Sequence, residues 1–135
     1  MRIDGQCHCG YVRYEADIDP DRIAICHCTD CQQLTGGAYR VTAITGSDRI
    51  RLTANRPKVY VKLGDNGRPR HQSFCPECGS PLFTSGDGED AAWTGIRVGT
   101  INQRRELRPS RQIWCRSALP WINDLQAMPG VERDD

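Results

Sequence analysis

Long apolar runs, net charge and internal repeats are missing from this sequence, and lysine is nearly so. No apolar stretch approaches the roughly 20 residues of a membrane-spanning helix, so no membrane insertion is expected. Formal net charge is +1, which removes any global electrostatic bias toward nucleic acid or a lipid surface. The first residues, "MRIDGQCHCG", lack the apolar core of a secretory signal, and the expected compartment is the cytoplasm. Only 38% of residues are hydrophobic, enough for one modest core. Small domains of this kind often add metal to hold themselves together. Lys58 and Lys62 are the only lysines beside sixteen arginines. Arginine forks suit carboxylates and phosphates, although the bias alone carries little weight.

What the chain does have is clustered cysteine. "QCHCG" supplies Cys7 and Cys9, "AICHCTDCQQLTGG" supplies Cys26, Cys28 and Cys31, and "FCPECGS" supplies Cys75 and Cys78. In a reducing compartment, close spacing favours metal over disulfides. Cys26 and Cys28 also make poor disulfide partners, because so short a loop strains the bond. The strongest local signal is "CPECG", Cys75–Gly79. C-x-x-C lets two sulfurs chelate one ion from a tight turn, and Gly79 tolerates the positive φ that such a turn uses. A redox C-x-x-C normally opens a helix in a βαβ setting, and "GSPLF" is no helix start.

Tetrahedral zinc takes four ligands, so Cys75 and Cys78 need a second pair. Gly10 follows Cys9 as Gly79 follows Cys78, and the two segments look like matching knuckles. Cys7, Cys9, Cys75 and Cys78 together close a structural site. Cys26, Cys28 and Cys31 are then one ligand short. Three protein ligands with an open position is the pattern of a catalytic zinc. Three thiolates make the metal a weak activator of water and suit it to a substrate thiol. The competing reading is a second structural site, completed by His8, His27, His71 or Cys115. His27 lies between two ligands on an extended segment and is expected to face away from them. It is kept as a candidate for proton transfer. A buried apolar thiol is the ordinary expectation for Cys115.

The patterning is that of a mainly β domain. "YVRYEADI" (Tyr11–Ile18) alternates, with Val12, Tyr14 and Ala16 on one face. Arg22–Ile25, Ala38–Ile44 and Arg49–Thr53 read as strands. Lys58–Leu63 and Arg68–Phe74 flank "GDNG" as a hairpin. Pro81–Ser85 and Ala91–Ile101 add further strands. One or two helical turns are expected after Thr29, stopped by Gly36 and Gly37. The tail from Arg108 reads as an irregular wrap with an anchoring patch at Ala118–Ile122. The expectation is a single domain over 1–135, with its core at about 5–122 and a tail at 123–135.

"GQCHCGYVRYE", "CHCTDCQQLTGGAY", "FCPECGSPLF" and a late "PWI" occur in that order. Together they resemble the glutathione-dependent formaldehyde-activating (GFA) family, which includes centromere protein V, from about Gly5 to Trp121. The resemblance implies a β-tent fold of small antiparallel sheets around zinc. It implies a structural zinc on Cys7, Cys9, Cys75 and Cys78 and a catalytic zinc on Cys26, Cys28 and Cys31. The implied activity is that of a carbon–sulfur lyase, condensing glutathione with formaldehyde to S-(hydroxymethyl)glutathione or reversing that step. The alternative is a non-catalytic module with two structural zincs. In one respect the chain departs from the family: Gln112, in "PSRQIW", stands where members often have histidine. Arg40, Arg70 and Arg97 are candidates to clamp glutathione carboxylates. Tyr39, Phe83 and Trp93 are candidates for the pocket wall.

Overall fold

The alternation in Tyr11–Ile18 produces strand β2 (Arg13–Asp17), with Val12, Tyr14 and Ala16 all buried on one face. A computed structural model describes residues 1–134. Strand β1 (Arg2–Gln6) pairs antiparallel with β2, and β5 (Ile50–Ala54) pairs on its other side, giving a three-stranded sheet. The sequence gives no sign of β1, because its inward positions are Ile3 and Gly5 and only one of them is apolar. Gly5 is required there: a Cβ would collide with the Tyr14 ring and the Thr100 carbonyl.

A seven-stranded sheet forms the larger part of the fold. Its order is β10 (Arg111–Ile113), β3 (Ile23–Cys26), β4 (Arg40–Gly46), β9 (Trp93–Arg97), β8 (Pro81–Gly86), β7 (Pro69–Phe74) and β6 (Lys58–Leu63). Every pairing is antiparallel except that of β10 with β3. The chain is thus mainly β, built from small sheets, as expected. The hairpin at "GDNG" forms, closed by Gly64 donating its N–H to the Arg68 carbonyl at 2.8 Å.

Two expectations are corrected. The long strand read over Ala91–Ile101 is only five residues, with 3-10 turns on either side. It ends because the Thr100 hydroxyl donates to the Arg97 carbonyl at 2.8 Å and the Ile101 N–H turns back onto Val98. The tail is not wholly irregular, since β10 docks on β3 within it. In its expected anchoring patch, Ala118–Ile122, Ala118, Leu119 and Ile122 are half-buried and Trp121 is 42% exposed.

The core joins the two sheets. Ile3, Tyr14, Leu82, Ile96 and Ile101 are fully buried, each contributing about 1.5–3 kcal/mol of transfer free energy where aliphatic. Tyr14 meets Phe83 edge-on at 5.0 Å, and its hydroxyl reaches Thr100 Oγ1 at 2.8 Å. Buried polar tips of this kind need such a partner. The single α-helix among the described residues, α1 (Thr29–Thr35), leaves the end of β3. Among the described residues no helix is long and apolar enough to cross a membrane.

Candidate metal centres

Two groups of sulfur atoms converge, and they divide the seven clustered cysteines as the spacing suggests. In the first, Cys7 and Cys9 follow β1, and Cys75 and Cys78 follow β7. The two segments are built alike. Cys7 accepts an N–H from Gly10 at 3.1 Å, and Cys75 accepts one from Gly79 at 2.9 Å. The N–H groups of Cys7 and Cys75 donate to Val12 and Ser80. Gly10 and Gly79 sit at φ +80° and +79°, a region that other residues enter only with strain. The Sγ atoms lie within 4.8 Å of one another. Backbone N–H groups point at them, Val12 at Cys7 (3.3 Å) and Glu77 at Cys75 (3.4 Å). Such bonds favour thiolate. The Ser80 hydroxyl and backbone pull the Cys78 thiol down to about 5.

In the second group, Cys26 ends β3, Cys28 caps α1 and Cys31 lies in its first turn. Their three sulfurs also lie within 4.8 Å of one another and are half-buried. No fourth histidine, cysteine or carboxylate joins them among the described residues. Cys31 hydrogen-bonds to Cys26, which lowers Cys26 and, with burial, raises Cys31. Three adjoining sulfurs cannot all ionise unless a cation neutralises them. The donor set of both groups, thiolate only, suits zinc.

The three sulfurs open on a cleft of about 570 Å³. Trp93, Ile113 and Trp114 supply apolar wall, and Arg40, Arg97 and Lys62 supply positive charge. Lys62 is bound to Asp30 at 2.6 Å. Arg40 and Arg97 are buried, not surface residues. Burial lowers the pKa of both, and burial together with Arg40 brings Arg97 down to about 9, which still leaves it charged at neutral pH. Arg70 stacks on Trp93 with 4.9 Å to the ring centroid.

Other candidates fall elsewhere. His27 is 1% exposed and does not line the cleft. Its Nε2 lies 2.7 Å from Gln112 Oε1, and its ring packs against Tyr39. The extended backbone turns it away from the sulfurs, as the spacing suggests, and its Nδ1 is buried without a hydrogen-bond partner. Gln112 reaches it because β10 pairs in parallel with β3. His71 pairs with Asp87 at 2.8 Å, and His8 joins neither sulfur group. Cys115 is exposed, contrary to the expected buried thiol, because it opens a 3-10 turn beyond β10. Phe83 belongs to the core. Reading the sequence missed Gln72, whose Oε1 accepts from both Arg40 and Arg97. No local signal marks it, since it acts only through strand pairing.

A family model described as glutathione-dependent formaldehyde-activating enzyme matches residues 2–117. A Halomonas elongata protein, provisionally named as such an enzyme, is 28% identical over 87 residues, covering 62% of this chain and 55% of that one. A Talaromyces marneffei protein with the same provisional name is 25% identical over 79 residues, covering 57% and 41%. The aligned stretches thus span about half the length of these curated relatives. The crystal structure of a Rhodobacter sphaeroides protein superposes with a TM-score of 0.62 at 18% identity, covering 81% of this chain and 98% of that one. That likeness establishes the fold.

Proposed function

The chain belongs to the glutathione-dependent formaldehyde-activating enzyme family, and from that premise we propose that it joins a thiol, glutathione or a close relative, to formaldehyde or a related aldehyde. The observation that carries this reading is the inequality of the two sulfur groups. Four sulfurs complete one group, whereas three face a cleft in the other. Cys7, Cys9, Cys75 and Cys78 would hold a structural zinc, and Cys26, Cys28 and Cys31 a catalytic one. A zinc ion on three thiolates supplies a centre at which a thiol loses its proton at neutral pH.

The chain's own residues set the conditions for that chemistry. Cys28 accepts the Cys31 N–H at 3.2 Å and so fixes the spacing of two sulfurs. Gln32 Nε2 donates to the carbonyls of His27 (2.9 Å) and Ser117 (3.0 Å), tying α1 to the tail across the cleft. Arg40 and Arg97 place positive charge beside the sulfurs and favour their ionised form. Trp93 and Trp114 wall the cleft with apolar surface.

In the net reaction a bond forms between the thiol sulfur and the carbonyl carbon. The C=O π pair moves to oxygen. The proton that sulfur loses ends on that oxygen, giving an S-hydroxyalkyl adduct. The proton would be carried by water in the cleft or by His27 from behind its wall.

Exchange NMR with 13C-formaldehyde and glutathione tests the proposal. Zinc-loaded protein should speed exchange between free aldehyde and adduct above the spontaneous rate, and Cys28→Ser should lose the acceleration. A fully zinc-loaded wild type that leaves the rate unchanged would favour the alternative of two structural zinc sites on a binding scaffold.

A further inference from the structure

Beside the three sulfurs lies a feature that the thiol chemistry explains only in part. Arg40 on β4 and Arg97 on β9 are only 6% and 9% exposed. They converge on one acceptor: Gln72 Oε1 takes Nη1–H of Arg40 at 3.0 Å and Nη2–H of Arg97 at 2.9 Å. Thr42 Oγ1 accepts from Arg97 Nη1 at 2.7 Å, and Gln72 Nε2 donates to Thr84 Oγ1 at 3.2 Å. The Nε–H of each guanidinium is buried and makes no hydrogen bond. Among the described residues neither arginine pairs with a carboxylate.

Burying a guanidinium without a counterion is unfavourable. The three-sulfur group by itself compensates them only in part. Three thiolates around a divalent ion carry one negative charge between them, and two guanidiniums carry two positive charges. Before an external thiol binds, one positive charge is therefore left over.

A second observation says what kind of anion would balance it. Arg40, Gln72 and Arg97 also line a second pocket, of about 280 Å³. Leu34, Tyr60, Phe74, Pro81 and Phe83 form most of the rest of its wall, and the two arginines are its only charged residues. An apolar pocket with a positive end matches a ligand with an apolar body and a negative end. An inorganic anion would leave the apolar walls unused, and a neutral molecule would leave the guanidiniums unpaired.

We propose that Arg40, Gln72 and Arg97 form a carboxylate-binding subsite, and that the second pocket holds the apolar body of an organic acid. The planar fork of arginine donates to both carboxylate oxygens, and the bonds are charge-assisted. The subsite does not depend on the thiol reaction, because an acid without sulfur or aldehyde satisfies it.

The test uses the zinc-loaded full chain with three probes: hexanoate, its uncharged isostere hexanamide, and acetate, which lacks the apolar body. Calorimetry should show hexanoate binding at least about tenfold tighter than either control, the effect of one charge-assisted bond or more. The Nε–H resonances of Arg40 and Arg97 should shift with hexanoate in 15N spectra. Arg97→Met should bind hexanoate and hexanamide alike. Should that variant fail to fold, the wild-type comparison decides. Hexanoate binding no tighter than hexanamide, or arginine resonances unmoved at saturation, overturns the proposal. Neither result bears on glutathione binding, which is measured separately.

Discussion

The sulfur of Cys28 accepts the backbone N–H of Cys31 at 3.2 Å. One residue therefore caps α1 and belongs to the same sulfur group as the residue it caps. The capping is local and the proposed metal-binding role is not, so the two can be separated by substitution.

Serine is among the best N-caps. Cys28→Ser should keep α1 and the fold while removing one ligand from the three-sulfur group. We expect an unchanged far-ultraviolet dichroism spectrum, a melting temperature within a few degrees of wild type, and loss of about half the zinc. Melting as low as that of a variant in the four-sulfur group would contradict the division into two kinds of site.

Cys75→Ser should behave in the opposite way. Cys75 and Cys7 are fully buried, and their knuckles link the N-terminal strand to the end of β7. Losing a ligand there removes metal-coupled folding free energy, on the order of several kcal/mol. Zinc content and cooperative melting should be lost together in Cys75→Ser and in Cys7→Ser.

Gly95 tests the packing behind the arginines. A Cβ at this position would lie 2.5 Å from Thr42 Cγ2 and 2.8 Å from Thr84 Cγ2. Those threonines hold Arg97 and Gln72 through their hydroxyls, and β-branched side chains move little in χ1. Gly95→Ala should destabilise by about 1–3 kcal/mol, read from the denaturant midpoint.

Glu15 gives a pH-dependent contribution of known sign. It lies between Arg51 (2.6 Å) and Arg2 (2.9 Å), which hold its carboxyl below the ordinary 4.5. A carboxyl lowered on folding contributes stability above its unfolded value and loses it as pH falls through the folded one. Glu15→Gln should therefore melt slightly below wild type at pH 7, and the gap should narrow below about pH 4.5. The gap should stay small, because all three groups reach solvent. A gap that widens on acidification would contradict the sign.

Spacing carried much of the site. C-x-x-C with its glycine, and the count of seven, were enough to divide the cysteines, because ligand chelation is a local property of short turns. The alternation of Val12, Tyr14 and Ala16 was legible for the same reason. β1 and β10 were not, since their signals are one isoleucine and a polar tripeptide, and both depend on partners far along the chain. The buried state of Arg40 and Arg97 was equally hidden. Each becomes buried only when β4, β9 and β7 align, and the glutamine that joins them contributes from a third strand. Cys115 was misread because tail composition says nothing about which side of a turn faces solvent.

The central claim is that the Cys26, Cys28 and Cys31 group is completed by an external thiol. Cobalt substitution tests it most directly, because the visible spectrum reports how many sulfurs surround the metal. Glutathione added to the cobalt-loaded protein should change the spectrum toward four-sulfur coordination and release a proton, measured by calorimetry in buffers of different ionisation enthalpy. A spectrum unmoved by saturating glutathione, with no proton released, would contradict the account.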